Sequence, residues 1–279
     1  MLAVGSKAAI SAIAWPQDED GAYRALARRL GFNGLEIAPV RIFGPLADAS
    51  PERLKEWRRV REGEGLPIVA MQGLLFGLKG IHLFSSDAAR RGLADALRIV
   101  ARSAGLLGVQ PCVFGAPALR DPGDLDPALA FDQAVAFFRD VAPAFEDVGS
   151  ALCIEPVAPA LGGRFVTTTL QAVALVRSID RPGIRLQMDT GNLLAQGDGA
   201  SALAAARPLA AHLHVSEPGL VPVGDLGTDH AALGAGLRDL NWSGWVSVEM
   251  LPAPDIAAAM QRARDVVAAH YLARAAATR

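Results

Sequence analysis

Eight short apolar runs recur along the chain at near-even intervals, each followed by a stretch with the spacing of an amphipathic helix. Extended segments are expected at 8–15, 34–40, 67–74, 109–114, 151–157, 184–190, 211–216 and 245–251. Between them apolar residues return at three and four, most clearly in DGAYRALARRLG, SPERLKEWRRVREGEG, SDAARRGLADALRIVARSAG and DPALAFDQAVAFFRDVAPAFEDVG. Strands alternating with helices through short connections point to a parallel sheet. An open doubly wound sheet would carry a glycine-rich phosphate loop after its first strand, and that loop is missing. The expected fold is α/β, a single (β/α)8 TIM barrel.

The 279 residues fit one barrel, which commonly needs about 250. No linker or break in composition interrupts them, so residues 1–279 are read as one domain. Ser50 before Pro51 and Asp126 before Pro127 are expected helix starts, a capping side chain followed by a proline whose missing N–H costs nothing there. Gly31, Gly65, Gly105 and Gly149 are expected to end helices in a left-handed turn. A last helix is expected over 255–274, closing the barrel against the first strand.

Apolar residues make up 51% of the chain and charged ones 20%, which is the composition of a core-rich globular protein and not a disordered one. A formal charge of −2 gives no footprint for nucleic acid or an anionic membrane. Cys112 and Cys153 lie in apolar runs without a CxxC pattern, so reduced buried thiols and a cytoplasmic location are expected. The first residues lack a basic leader with a cleavage site, and no apolar run approaches the ~20 residues that cross a bilayer.

In a barrel of this kind the carboxyl ends of the strands converge on the active site. Those ends read Trp15, Glu36, Gln72, Phe114, Glu155, Asp189, His214 with Glu217, and Glu249. A lone carboxylate at a strand end is most often a salt-bridge or cap partner. Glu155, Asp189, His214 and Glu249 differ because they close successive units, 34, 25 and 35 residues apart. Like charges gathered in a partly dry mouth repel unless a cation neutralises them. Three carboxylates and one imidazole suit one divalent metal ion, Mn²⁺, Mg²⁺, Co²⁺ or Zn²⁺, and the lack of thiolates argues against a purely structural zinc.

The runs GLEIAP, LCIEP, MDTGN, HLHVSEP and VSVEM, in this order, resemble the xylose isomerase-like barrel superfamily, above all its D-tagatose 3-epimerase-like branch. The resemblance implies that Glu155, Asp189, His214 and Glu249 hold one metal and that Glu155 and Glu249 also move the proton. It departs from the epimerase pattern at Asn192, where an imidazole is common, and after Glu155, where PVAPALGGRF has no second acid. Leu220 stands where an arginine is expected. The metal set is kept while the sugar-reading set is rewritten.

Candidate substrate contacts are Glu36, Gln72, Asn192, Glu217 and Trp15. Four of them have a bracing alternative: Glu36 against a neighbour, Gln72 on loop backbone, Glu217 as a loop cap, Trp15 in lid packing. His212, two residues before His214 on the same strand face, reads as a hydrogen-bonded support. Lys79 and His82 share a loop and could meet an anion, though a surface role is the commoner one. His230 and His270 fall in helical patterns and are expected at the surface.

The leading expectation is a metal-dependent isomerase or epimerase of a sugar, sugar acid or cyclitol, working through an enediolate. A dehydratase would share the first step. An endonuclease IV-like hydrolase needs more histidine ligands than this chain's five and a basic face. A non-catalytic sugar-binding subunit would bind no metal. The expected partner is a small carbohydrate, with no nucleic acid and no membrane, and the Ala- and Arg-rich C-terminal helix offers a surface for a homodimer.

Overall fold

The computed structural model describes residues 7–197 and 200–272. Eight parallel strands close into a barrel in sequence order: β1 (Ala8–Ser11), β2 (Gly34–Ile37), β3 (Ile68–Met71), β4 (Pro111–Phe114), β5 (Ala151–Ile154), β6 (Ile184–Asp189), β7 (Ala210–Val215) and β8 (Val246–Val248), with β8 pairing back onto β1. Around them run α1 (Asp20–Arg29), α2 (Pro39–Phe43), α3 (Pro51–Gly63), α4 (Asp87–Leu107), α5 (Pro127–Glu146), α6 (Thr169–Ile179), α7 (Thr190–Gln196), α8 (Ala200–Ala206), α9 (His230–Asp239) and α10 (Ile256–Val266). None of the described helices is long and apolar enough to cross a membrane.

The alternation of strand residues divides two environments. Ile10, Leu35, Ile37, Met71, Phe114, Leu152, Ile154, Leu186, Met188, Leu213, Val215, Val246 and Val248 are buried in the main core, between barrel and helices. The polar strand residues Ser11, Glu36, Gln187, His212, His214 and Ser247 lie on the opposite, lumen-facing side, all buried. Register shifts between β2 and β3 and between β6 and β7 re-aim the strands, and beyond the second shift Asp189 stands beside His214 and His214 beside Ser247.

The expected helix starts are present. Ser50 Oγ accepts from Arg53 N, and Asp126 Oδ1 accepts from Ala128 N and Leu129 N. Several boundaries differ from expectation. The first strand stops at Ser11 and turns into a 3-10 segment, Ala12–Ala14. The second gives way to α2 at Pro39. Gly105 lies inside α4, whose left-handed end falls on Gly108, because the apolar face runs on to Leu107. The last helix becomes a π turn over Val267–Tyr271, and residues 1–6 and 273–274, which entered the leader and last-helix expectations, lie outside the described residues.

Candidate active site

Glu155 directly follows β5, Asp189 ends β6, His214 is the penultimate residue of β7, and Glu249 directly follows β8. The ladder fixes the two flanking glutamates, since Glu155 N donates to Phe114 O and Glu249 N to Val215 O. The structure brings all four side chains together, with one ligand-capable atom from each within 4.8 Å of the others. Around His214 Nδ1 stand Glu249 Oε2 at 3.0 Å, Glu155 Oε1 at 3.7 Å and Asp189 Oδ2 at 3.8 Å. The side chains of Glu155 and Glu249 are 14% and 11% exposed, against 4% for Asp189 and 1% for His214. The two glutamates therefore face the mouth, and the other two groups sit beneath them.

His214 is held from behind. Its Nε2 lies 2.9 Å from Glu36 Oε1, and the other oxygen of Glu36 receives His212 Nε2 at 3.2 Å and the Ser247 hydroxyl at 2.6 Å. Glu36 is thus a buried carboxylate between two imidazoles and a hydroxyl, one layer below the mouth. Burial raises its proton affinity, but the two adjacent imidazoles outweigh that and hold it well below the usual carboxylate range. With Nε2 engaged, His214 Nδ1 faces the carboxylates, 3.0 Å from Glu249 Oε2 but without a well-aligned hydrogen bond.

Asp189 is oriented just as closely. Its Oδ2 accepts from Ser216 Oγ at 2.6 Å, while Oδ1 caps α7 by accepting from Asn192 N at 2.7 Å. Thr190 and Ser216 clasp each other, Thr190 Oγ1 donating to Ser216 O and accepting from Ser216 N. Burial, then repulsion from Glu155 and Glu249, pushes Asp189 up to about 7. Burial likewise raises Glu155, with Glu249 adding to it. For His214 burial acts downward, yet Glu36 and Glu249 outweigh it and lift it well above an ordinary imidazole.

A bound divalent cation would offset both penalties, burial and mutual repulsion. The donor set, three carboxylates plus an imidazole nitrogen without a well-aligned hydrogen bond and backed by a carboxylate, fits such an ion.

The other anticipated residues fall in different places. Gln72, near the mouth, donates through Nε2 to Ser11 Oγ over 2.8 Å. The Asn192 side chain accepts from Ala158 N. Trp15 is fully buried, stacked on Tyr23 and bonded to Asp20. Glu217 is turned into its own loop, accepting from Gly224 N and Leu226 N at 2.8 Å and pairing with His230 Nε2 at 3.1 Å. His230 is a correction: it is buried, not at the surface, because Tyr271 returns from the C-terminal turn to its Nδ1 at 2.7 Å. His270 is half-buried, Lys79 is exposed, and His82 accepts from Phe84 N within its own loop. His212 is the support it was expected to be. Ser216 and Ser247 join the site without a motif of their own, each two residues from a ligand candidate on the same strand face, and alternation is the signal that marks them.

A closed eight-stranded βα barrel with acids and an imidazole converging at the carboxyl ends of β5 to β8 defines a class of protein whose chemistry lies in that mouth. A sequence model of the xylose isomerase-like TIM barrel family matches residues 24–266, and the chain belongs to that family. D-psicose 3-epimerase of Agrobacterium fabrum (strain C58) is 25% identical over 241 residues, covering 82% of this chain and 78% of the relative. The structure of an L-ribulose 3-epimerase aligns with a TM-score of 0.80 at 20% identity, over 95% of this chain and 94% of that one. That of a D-psicose 3-epimerase in the presence of D-fructose aligns at 0.78 and 21% identity, over 94% and 97%. These structures share the barrel, and the relatives fall in the branch that the motifs resemble.

Proposed function

We propose that the protein is a metal-dependent epimerase or isomerase acting on a sugar, a sugar acid or a cyclitol. One observation carries the reading: two partly exposed glutamates flank an imidazole nitrogen that has no well-aligned hydrogen bond and is held from behind by Glu36. Glu155, Asp189, His214 and Glu249 would hold the cation. When bound, it supplies fixed positive charge beside the substrate carbonyl and hydroxyl, where negative charge develops on enolisation.

The remaining work falls to the chain. Glu155 and Glu249 approach the mouth from β5 and β8, so one can take the proton from the carbon beside the carbonyl while the other returns it. Asp189 and His214, deeper and fixed by Ser216 and Glu36, serve to orient and not to shuttle. Sugar epimerases among the relatives support the reaction class. The buried free thiols Cys112 and Cys153 suit a reducing cytoplasm.

The test is solvent deuterium exchange over a panel of ketoses and inososes, together with Mn²⁺ titration of wild type and Glu249→Gln. Wild type should bind about one Mn²⁺ and place deuterium beside the carbonyl. Glu249→Gln should keep measurable binding and lose the exchange. A product lacking a hydroxyl would move the assignment to a dehydratase, and failure to bind any divalent ion would end it.

A further inference from the structure

Gly115 is the first residue beyond β4, and its α-carbon lies against the carboxylate of Glu155. A methyl group there would stand 2.5 Å from Glu155 Oε2, with Glu155 Cδ and Val157 Cγ2 next at 3.7 Å. Those nearest neighbours are all side-chain atoms. Gly115 is absent from the positive-φ residues of the chain, so its backbone does not call for glycine. The bare α-carbon instead leaves room for the Glu155 carboxylate.

The same corner holds a fully buried guanidinium. A short 3-10 turn, Pro117–Arg120, folds Arg120 back under the strand ends. Its Nε donates to Gly115 O at 2.7 Å and its Nη2 to Glu155 O at 2.5 Å. One planar fork thus ties the carbonyls of both residues, while Glu155 N is already held by Phe114 O.

We propose that Gly115 and Arg120 are positioning residues for Glu155, the glycine leaving the space its carboxylate occupies and the arginine fixing the backbone that carries it. The inference rests on the reading of Glu155 as a metal ligand and proton carrier. It means that a β4 corner which contributes no ligand sets the position of one ligand oxygen, and with it the cation affinity.

The experiment uses the full chain and Mn²⁺ alone. Gly115→Ala removes no bond and meets only the end of a flexible side chain, so the melting temperature should stay at the wild-type value. The Kd for Mn²⁺ should rise about 10–100-fold, as for other residues that orient a ligand. In a Glu155→Ala background the same substitution should cost nothing further, because no carboxylate remains to displace. Arg120→Lys keeps the charge but cannot span both carbonyls, and it should weaken Mn²⁺ binding as Arg120→Met does.

Wild-type affinity in Gly115→Ala, or an equal loss with and without the Glu155 carboxylate, would overturn the glycine's role. Wild-type affinity in a folded Arg120→Lys would overturn the arginine's. If Arg120→Met does not fold, Gly115→Ala and Arg120→Lys decide the matter. Should wild type itself bind no Mn²⁺, the functional reading falls and this proposal with it, an outcome distinct from a variant that merely matches wild type.

Discussion

The imidazole of His214 and the carboxylate of Glu36 are joined across the lumen, Nε2 lying 2.9 Å from Oε1 and 3.0 Å from Oε2. The pair links the mouth to a polar layer that no solvent reaches, and His212 and Ser247 complete the coordination of Glu36. This bond aims Nδ1 at the carboxylates and raises the basicity of the ring.

Glu36→Gln should therefore act on the cation through His214. The amide keeps the shape but loses the charge that faces two imidazoles. Mn²⁺ affinity should drop about 10–100-fold. Breaking a buried charge cluster by removing one member should also cost roughly 3–5 kcal/mol of stability. Isothermal titration and thermal melts read both, and an unaltered Kd would show that His214 needs no backing.

The pH dependence of the metal-free protein has a definite sign. Asp189 is pushed up to about 7, against roughly 3.9 when unfolded. Between those values the folded state binds more protons, so stability is full at low pH and is lost as pH rises through 7. His214, also raised, contributes in the same direction: its share is present below an unfolded value of about 6.5 and is lost above it, through its higher folded value. Glu36 and His230 have the opposite sign. The share of Glu36 is lost only as pH falls below about 4.3, while burial of His230 costs stability below about 6.5, a single group set against the raised Asp189, Glu155 and His214. Chelated protein should thus melt higher at pH 5.5 than at pH 8, and saturating Mn²⁺ should reverse the order because the ligands bind it deprotonated. A chelated sample that melts higher at pH 8 would contradict the electrostatics of the cluster.

What the sequence disclosed follows from what is periodic. All eight strands and their order were legible because β-alternation and helical spacing are local, and the four side chains that converge did so because each marks a strand end. The missed features depend on partners distant in sequence or on residues of plain composition. Asp189 both ends a strand and caps α7, so Thr190, expected to extend the strand, is instead the first residue of a helix. His230 looks like a surface residue until Tyr271, 41 residues later, covers it. Gly115 and Arg120 carry no motif, and their relation to Glu155 exists only once β4 and β5 are side by side.

Ser216 gives a narrower test of orientation. Its hydroxyl donates to Asp189 Oδ2 and accepts from Gly191 N, joining the end of β7 to the start of α7. Ser216→Ala removes a bond to a charged acceptor, worth about 1.5–3 kcal/mol, and leaves Gly191 N without that partner. Thr190 still clasps the Ser216 backbone, so the loop itself should hold. The expected result is weaker Mn²⁺ binding by about tenfold, with exchange restored at high Mn²⁺. Exchange that stays lost at saturating metal would place Ser216 in proton transfer instead.

Glu217 separates a brace from a substrate contact. Its side chain is fully buried, its oxygens are taken by Gly224 N, Leu226 N and His230 Nε2, and His230 Nδ1 in turn meets the Tyr271 hydroxyl. With Nε2 donating to the carboxylate, Nδ1 is left to accept from Tyr271, which is the neutral ring that burial, the leading influence on His230, favours. The chain of contacts ties the loop after β7 to the C-terminal turn, and none of its members is one of the four clustered groups. Glu217→Gln loses charge-assisted bonds and should cost about 2 kcal/mol, lowering Tm by roughly 4–8 °C. Tyr271→Phe should lower it less, by the ~1 kcal/mol of a neutral bond. Neither should change KM for the substrate that exchanges deuterium, and a raised KM for Glu217→Gln at unaltered Tm would turn that carboxylate back toward the sugar.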